Sequence, residues 1–229
     1  MGRRTPGALI DIFTLESPFA TDIRRVLHQI TRAGKEQEVK TVLFTSATTG
    51  EGKSTLTALS AITAARKGKR VLIVDSDLRR PVQHTLFQLP REQGVVEGIL
   101  EGGQLRSFVK KTKLDKLDLL TSGRMTSAPA EVFDAARIVE LLEELKFYYD
   151  LILIDCAPLL PVSDPMMLAP DVDGVVMVVK AGETDRELVK RGVQILKSAD
   201  ARIIGVVLNN MKRALPHYYN YEYYDGGYY

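Results

Sequence analysis

The stretch Thr41-Val42-Leu43-Phe44-Thr45-Ser46-Ala47-Thr48-Thr49-Gly50-Glu51-Gly52-Lys53-Ser54-Thr55 decides how the rest of the chain is read. Its first six residues form an apolar, β-branched run of strand length, and a helical pattern from Ser54 to Lys67 follows the glycine turn and stops near Gly68. A strand running through such a turn into a helix is a phosphate-binding loop. Glycines let backbone N–H groups close around phosphate oxygens, a lysine reaches the β- and γ-phosphates, a hydroxyl holds Mg²⁺, and the helix N-terminus faces the anion. Gly50, Gly52, Lys53 and Ser54 supply these in order, and Thr49, Glu51 and Thr55 complete the loop. Ala47 stands where the strict pattern has glycine.

Outward from this loop, strand-like runs at Val71–Asp75, Leu117–Thr121, Leu151–Asp155, Val175–Lys180 and Ile203–Leu208 alternate with helical stretches at Ala130 to Phe147 and Thr184 to Ala199. Alternating β and α predicts an α/β fold of the P-loop NTPase class: a mostly parallel central sheet with helices on both faces. A further helix, Pro18 to Ala33, precedes the first strand, and Gly34 to Lys40 links the two. The chain therefore divides into an N-terminal helical segment (1–39), a P-loop domain (40–213) and a tail (214–229).

Two more strands deliver carboxylates to the sheet edge where parallel folds bind ligands. Val71-Leu72-Ile73-Val74-Asp75-Ser76-Asp77-Leu78-Arg79-Arg80-Pro81 presents Asp75 and Asp77, and Leu151-Ile152-Leu153-Ile154-Asp155-Cys156-Ala157-Pro158 presents Asp155. Beside a phosphate loop, three such acids read as a metal and catalytic cluster. Cys156 reads as a small buried residue at a strand end, and His28, His84 and His217 lack metal-ligand spacing. Lys110, Lys111 and Lys113 read as a solvated face.

Composition excludes several classes. The 229 residues carry 31 Lys+Arg against 29 Asp+Glu, a net charge of +2 that favours neither nucleic acid nor an anionic membrane as main partner. One cysteine excludes an internal disulfide and a multi-thiolate metal site, which fits a reducing, cytoplasmic setting. No apolar run approaches membrane-spanning length, and the N-terminus has no signal-peptide pattern.

Tyrosine is distributed unevenly. Of nine, Tyr148 and Tyr149 lie in the body, while Tyr218, Tyr219, Tyr221, Tyr223, Tyr224, Tyr228 and Tyr229 crowd the end of the chain. Nothing after Leu215 can build a core, so the sequence predicts a disordered tail. If Ile203–Leu208 is a parallel strand, the tail leaves from the phosphate-loop edge. About fourteen flexible residues have an r.m.s. span of about 20 Å and a reach under about 50 Å, enough to enter a neighbouring copy's site.

Together the loop, the two acidic strand ends and the terminal tyrosines resemble the bacterial tyrosine kinases, the cytoplasmic kinase modules of capsule and exopolysaccharide export systems. Their Walker A, A′ and B signatures match Ala47–Thr55, Val71–Pro81 and Leu151–Pro158. Positioning ATPases of the MinD/ParA type are wider relatives and the alternative reading, but they carry an extra lysine early in the loop, where Thr48 stands here. The family's ExxRxxR motif is degraded: one register on the N-terminal helix gives Thr21, Arg24 and Leu27, another Asp22, Arg25 and His28.

The resemblance implies ATP and Mg²⁺ as cofactors and transfer of the γ-phosphoryl to tyrosine. Lys53 would neutralise phosphate charge, while Ser54, Asp77 and Asp155 would hold the metal. Asp75 or Asp77 would serve as base, Glu51 would contact metal-bound water or a neighbouring protomer, and Asn209 would contact the nucleotide's base or sugar. The seven terminal tyrosines would be acceptors, in trans. Implied partners are a transmembrane polysaccharide co-polymerase or adaptor at the inner membrane face, protein tyrosine substrates, a tyrosine phosphatase and further copies of the chain; nucleic acid is not among them.

Overall fold

The computed structural model describes residues 8–17, 19–35, 37–101 and 105–211. The terminal tyrosine cluster thus lies outside the described residues. The strands are β1 (Thr41–Ser46), β2 (Val71–Asp75), β3 (Lys110–Lys111), β4 (Leu117–Leu120), β5 (Leu151–Asp155), β6 (Gly174–Lys180) and β7 (Ile203–Asn209). The helices are α1 (Leu9–Ile12), α2 (Ala20–Ala33), α3 (Lys53–Arg66), α4 (Gln83–Phe87), α5 (Val95–Glu101), α6 (Pro129–Val132), α7 (Ala135–Leu145), α8 (Asp164–Leu168) and α9 (Arg186–Ser198). The strands make one sheet in the order β3-β4-β2-β5-β1-β6-β7, parallel except for the β3–β4 pair.

The central strands are continuous apolar runs because both sheet faces are covered. Successive residues serve opposite layers: Leu43, Leu72, Leu120 and Ile152 pack with α5, α7, α8 and α9, while Val42, Phe44, Ile73 and Leu153 pack with α1 to α4. The first helix after the phosphate loop, α3, is buried along nearly its whole length, between the sheet and α2. This anchors the loop rigidly at both ends. At the opposite sheet edge, Asp173 Oδ2 accepts the N–H groups of Lys40 and Thr41 at 2.8 and 2.7 Å and the Thr41 hydroxyl at 2.9 Å, fixing where β1 begins.

Several local expectations need correction. The helix expected over Ala130 to Phe147 is broken: Phe133 is extended and buried, and Asp134 caps α7 by accepting the Arg137 N–H at 3.0 Å. The local chemistry of a capping carboxylate outweighs the continuing apolar period. Lys110 and Lys111 form the edge strand β3, and they are engaged rather than simply solvated. Lys110 donates to the Gln93 carbonyl and the Thr121 hydroxyl, and Lys111 pairs with Asp118 at 2.8 Å.

The N-terminal helix α2 turns Ala20, Ile23, Leu27 and Ile30 inward onto α3. Leu27 is therefore committed to the core, whereas Asp22, Arg25 and His28 face outward, with Arg25 paired to Asp22 at 2.9 Å. Among the described residues no helix is long and apolar enough to cross a membrane.

Candidate active site

The sheet register assembles the site. β2 and β5 are neighbours, with Asp75 opposite Asp155, and β1, on the other side of β5, ends in the phosphate loop. Within that loop Gly50 and Gly52 have φ of 80° and 92°, the left-handed region that side chains disfavour. A Cβ on Gly50 would meet nothing within 4 Å, so the loop is open there, whereas one on Gly52 would overlap the Asn209 side-chain amide. Thr49 and Thr55 are exposed on this open side.

Lys53 Nζ is not free. It lies 2.8 Å from Asp77 Oδ2, 3.4 Å from Asp155 Oδ1 and 3.1 Å from Ser54 Oγ, and all but 11% of its side chain is buried. Burial works against its charge, but the Asp155 and Asp77 carboxylates outweigh it and hold the ammonium above its ordinary range. Among the described residues Asp75 has no such cation in contact. Burial, and then the neighbouring Asp155 charge, push its carboxyl well up, against the Gln83 N–H it accepts at 3.0 Å. Burial likewise raises Asp155, against Lys53, Ser54 and Gln83.

Gln83, which the sequence reading missed, organises this cluster. From the start of α4 its Nε2 donates to Asp155 Oδ2 at 2.8 Å and to the Ser54 carbonyl at 3.0 Å, while its backbone N–H holds Asp75. Nothing local marks it except its place just after Pro81, beyond the Asp75-Ser76-Asp77 strand end.

The Glu51 side chain points inward. Its carboxylate accepts the Ala47 N–H and the hydroxyls of Thr48 and Thr184 at 3.0, 2.9 and 2.6 Å, so it braces the loop from within its own chain instead of facing a metal water or a neighbour. Its carbonyl accepts the Asn209 side-chain amide at 3.0 Å, which brings the end of β7 to the loop. Cys156 is fully buried and its thiol is pushed up to about 12 by burial, so it stays protonated and does not act as a nucleophile.

The donor set fits a hydrated divalent cation beside phosphate. Mg²⁺ is commonly held by one or two carboxylates, a hydroxyl, phosphate oxygens and water rather than by a full protein cage. Among the described residues no three acidic, histidine or cysteine side chains converge as such a cage. Among the described residues Asp75 Oδ1 and Gln83 Oε1 are buried acceptors without a hydrogen-bond partner, so the cluster is short of a polar donor or cation.

Comparison with known proteins agrees with this geometry. The AAA domain family matches residues 39–204. Tyrosine-protein kinase YwqD of Bacillus subtilis is 34% identical over 198 residues, spanning 86% of this chain and 84% of that protein. The chain belongs to the bacterial tyrosine-kinase family. The kinase domain of Escherichia coli tyrosine kinase Etk superposes with a TM-score of 0.85 at 27% identity, covering 96% of this chain and 86% of that one. The cell division ATPase MinD of Pyrococcus furiosus, at 22% identity and a TM-score of 0.67 over 78% of this chain and 76% of its own, shares the fold alone. As a bacterial tyrosine kinase the protein is a protein-tyrosine kinase by class, and its P-loop fold implies nucleotide binding.

Proposed function

We propose that the chain binds Mg-ATP and transfers the γ-phosphoryl to tyrosine hydroxyls, its own terminal cluster first, in trans between copies. The observation that carries this reading is the convergence of Lys53, Ser54, Asp75, Asp77 and Asp155 beside an open phosphate loop, with β7 ending at the same loop. In this account Thr49, Gly50, Glu51, Gly52, Lys53, Ser54 and Thr55 surround the phosphates, Glu51 through its main chain, and Asn209 borders the nucleotide. Ser54, Asp77 and Asp155 are the residues suited to Mg²⁺, which supplies charge neutralisation when bound.

A phenol with an ordinary pKa near 10 attacks poorly until a base orients it or takes its proton, and Asp75 or Asp77 fills that role. The new P–O bond forms at the phenol oxygen as the γ-phosphoryl leaves ADP, and the proton passes to the carboxylate. For Lys53 to neutralise the transferred group it exchanges its Asp77 and Asp155 contacts for phosphate oxygens, a change in partner that couples nucleotide arrival to release of the carboxylates.

In this reading residues 1–39 are the segment available for contact between copies, 40–213 the catalytic body and 214–229 the acceptor segment. Phosphorylating all seven terminal tyrosines would move the net charge from +2 to about −9 to −12, enough to make crowded copies repel. The family setting adds a transmembrane co-polymerase or adaptor holding the kinase at the inner membrane face, protein substrates, a phosphatase that resets the tail, and regulation of polysaccharide synthesis and export. Incubation with labelled ATP and Mg²⁺ followed by mass-spectrometric mapping tests the activity. Label on tyrosine supports it; ADP without phosphotyrosine favours a positioning or regulatory ATPase instead.

A further inference from the structure

One residue beyond Asp77, a second concavity opens at the carboxyl edge of the sheet. It has a volume of about 50 Å³ and draws its walls from the segment after β2, the segment before α5 and the loop after β4, bringing Arg79, Arg91 and Arg124 around Ser122 and Thr126. The backbone continues straight from the proposed catalytic carboxylate into this wall: Asp77 Oδ1 accepts the Arg80 N–H at 3.0 Å, while Leu78, Arg79 and Pro81 line the concavity.

The charges there are only partly balanced. Arg79 faces Asp164 at 3.4 Å and Arg124 faces Glu101 at 3.8 Å, both long contacts. The nearby Glu97 carboxylate is already spent on backbone N–H groups of Gly94 and Arg124. Arg91 has no carboxylate within ion-pairing distance among the described residues, and its Nε is buried without a hydrogen-bond partner. A buried, unpaired guanidinium nitrogen is a costly feature unless an acceptor arrives to meet it.

We propose that this concavity is a specificity subsite for an anionic side chain next to the acceptor tyrosine of a peptide. The inference rests on the kinase reading above and names what the same site selects. A space of about 50 Å³ is a little under twice a water's share of liquid volume, about 30 Å³, which suits a carboxylate or phosphate head group. An extended peptide advances about 3.3 Å per residue, so an anionic side chain one to three positions from the acceptor lies about 3–10 Å away along the strand. The terminal segment has this character: Glu222 and Asp225 stand among Tyr221, Tyr223 and Tyr224, and each phosphorylated tyrosine becomes an anion beside the next acceptor. The subsite thus gives a physical reason for acceptors to be clustered.

The test uses the full chain and three labelled peptides carrying one acceptor tyrosine flanked by glutamate, by phosphotyrosine or by glutamine. Binding is read by fluorescence anisotropy and transfer by phosphate incorporation, for the parent and for Arg91→Gln with and without Arg124→Gln. The proposal expects the parent to favour both anionic peptides over the glutamine peptide by about tenfold in binding and in KM, less in high salt, and the variants to lose that preference while handling the glutamine peptide as before. Preference for the phosphotyrosine peptide alone assigns the pocket to phosphate; equal preference assigns it to either anion. Equal handling of all three by the parent, or an undiminished preference in folded variants, overturns the subsite. Charge-selective binding without transfer would instead overturn the kinase reading and leave the anion pocket standing.

Discussion

Asn209 donates its side-chain amide to the Glu51 carbonyl at 3.0 Å, so the last strand of the sheet is fastened to the phosphate loop. The same amide occupies the space a side chain on Gly52 would need. β7 therefore ends at the active edge of the sheet, and the six residues between Met211 and Tyr218 can span at most about 25 Å if fully extended.

Gly52→Ala should damage the loop in two ways, through a left-handed φ of 92° and through overlap with Asn209. The expected loss of stability is about 1–2 kcal/mol, with ATP affinity falling sharply. Adding Asn209→Ala removes only the overlap, so calorimetric stability should recover in part while the backbone strain remains. Complete recovery would show that the glycine's conformation is not required.

Lys53→Met removes the cation that Asp77 and Asp155 share in a nearly dry site. Breaking a buried pair from one side costs about 3–5 kcal/mol. Denaturant unfolding of the nucleotide-free variant should show a loss of this size, partly restored by adding Asp77→Asn, and ATP binding and transfer should both disappear. Tail phosphorylation that persists in the purified variant would point to a contaminating kinase.

Gln83→Ala leaves Asp155 Oδ2 and the Ser54 carbonyl without their shared donor. The buried acceptors should cost about 1–3 kcal/mol. Isothermal titration should show weaker binding of Mg-ATP, since the residue supports the cluster rather than the fold's core.

Asp173 provides a pH-dependent check on the architecture. Although burial opposes ionisation, the Thr41 and Lys40 N–H groups and the Thr41 hydroxyl favour the carboxylate and hold its pKa below the usual value. A carboxyl depressed in this way stabilises the fold above its unfolded pKa, and the contribution fades as pH falls through the folded value. Asp173→Asn should cost about 1–2 kcal/mol at pH 7 in thermal unfolding, and the gap from the parent should close below about pH 4.

Much of this arrangement is written in local sequence. β1, β2 and β5 run over the residues their apolar patterns predict, because strands buried on both faces need uninterrupted apolar side chains; β2 and β5 end on Asp75 and Asp155, and β1 ends at the phosphate loop. The phosphate loop is legible for the same reason: its chemistry is contiguous. Gln83 was not legible because its meaning comes from Asp155, 72 positions away, through the pairing of β2 with β5. The inward turn of Glu51 depends likewise on Thr184, 133 positions away. The two-residue strand β3 is defined only by its partner β4, and α4 and α8, of five residues each, are too short for a helical period to declare itself.

Phosphorylation-site mapping of the purified chain after incubation with Mg-ATP tests the central claim most directly. The account predicts phosphotyrosine within residues 218–229, absent from Lys53→Met alone but restored on the Lys53→Met tail when that variant is mixed with a catalytically intact, tail-deleted copy. Steady ADP production with no phosphotyrosine anywhere in the chain would contradict it.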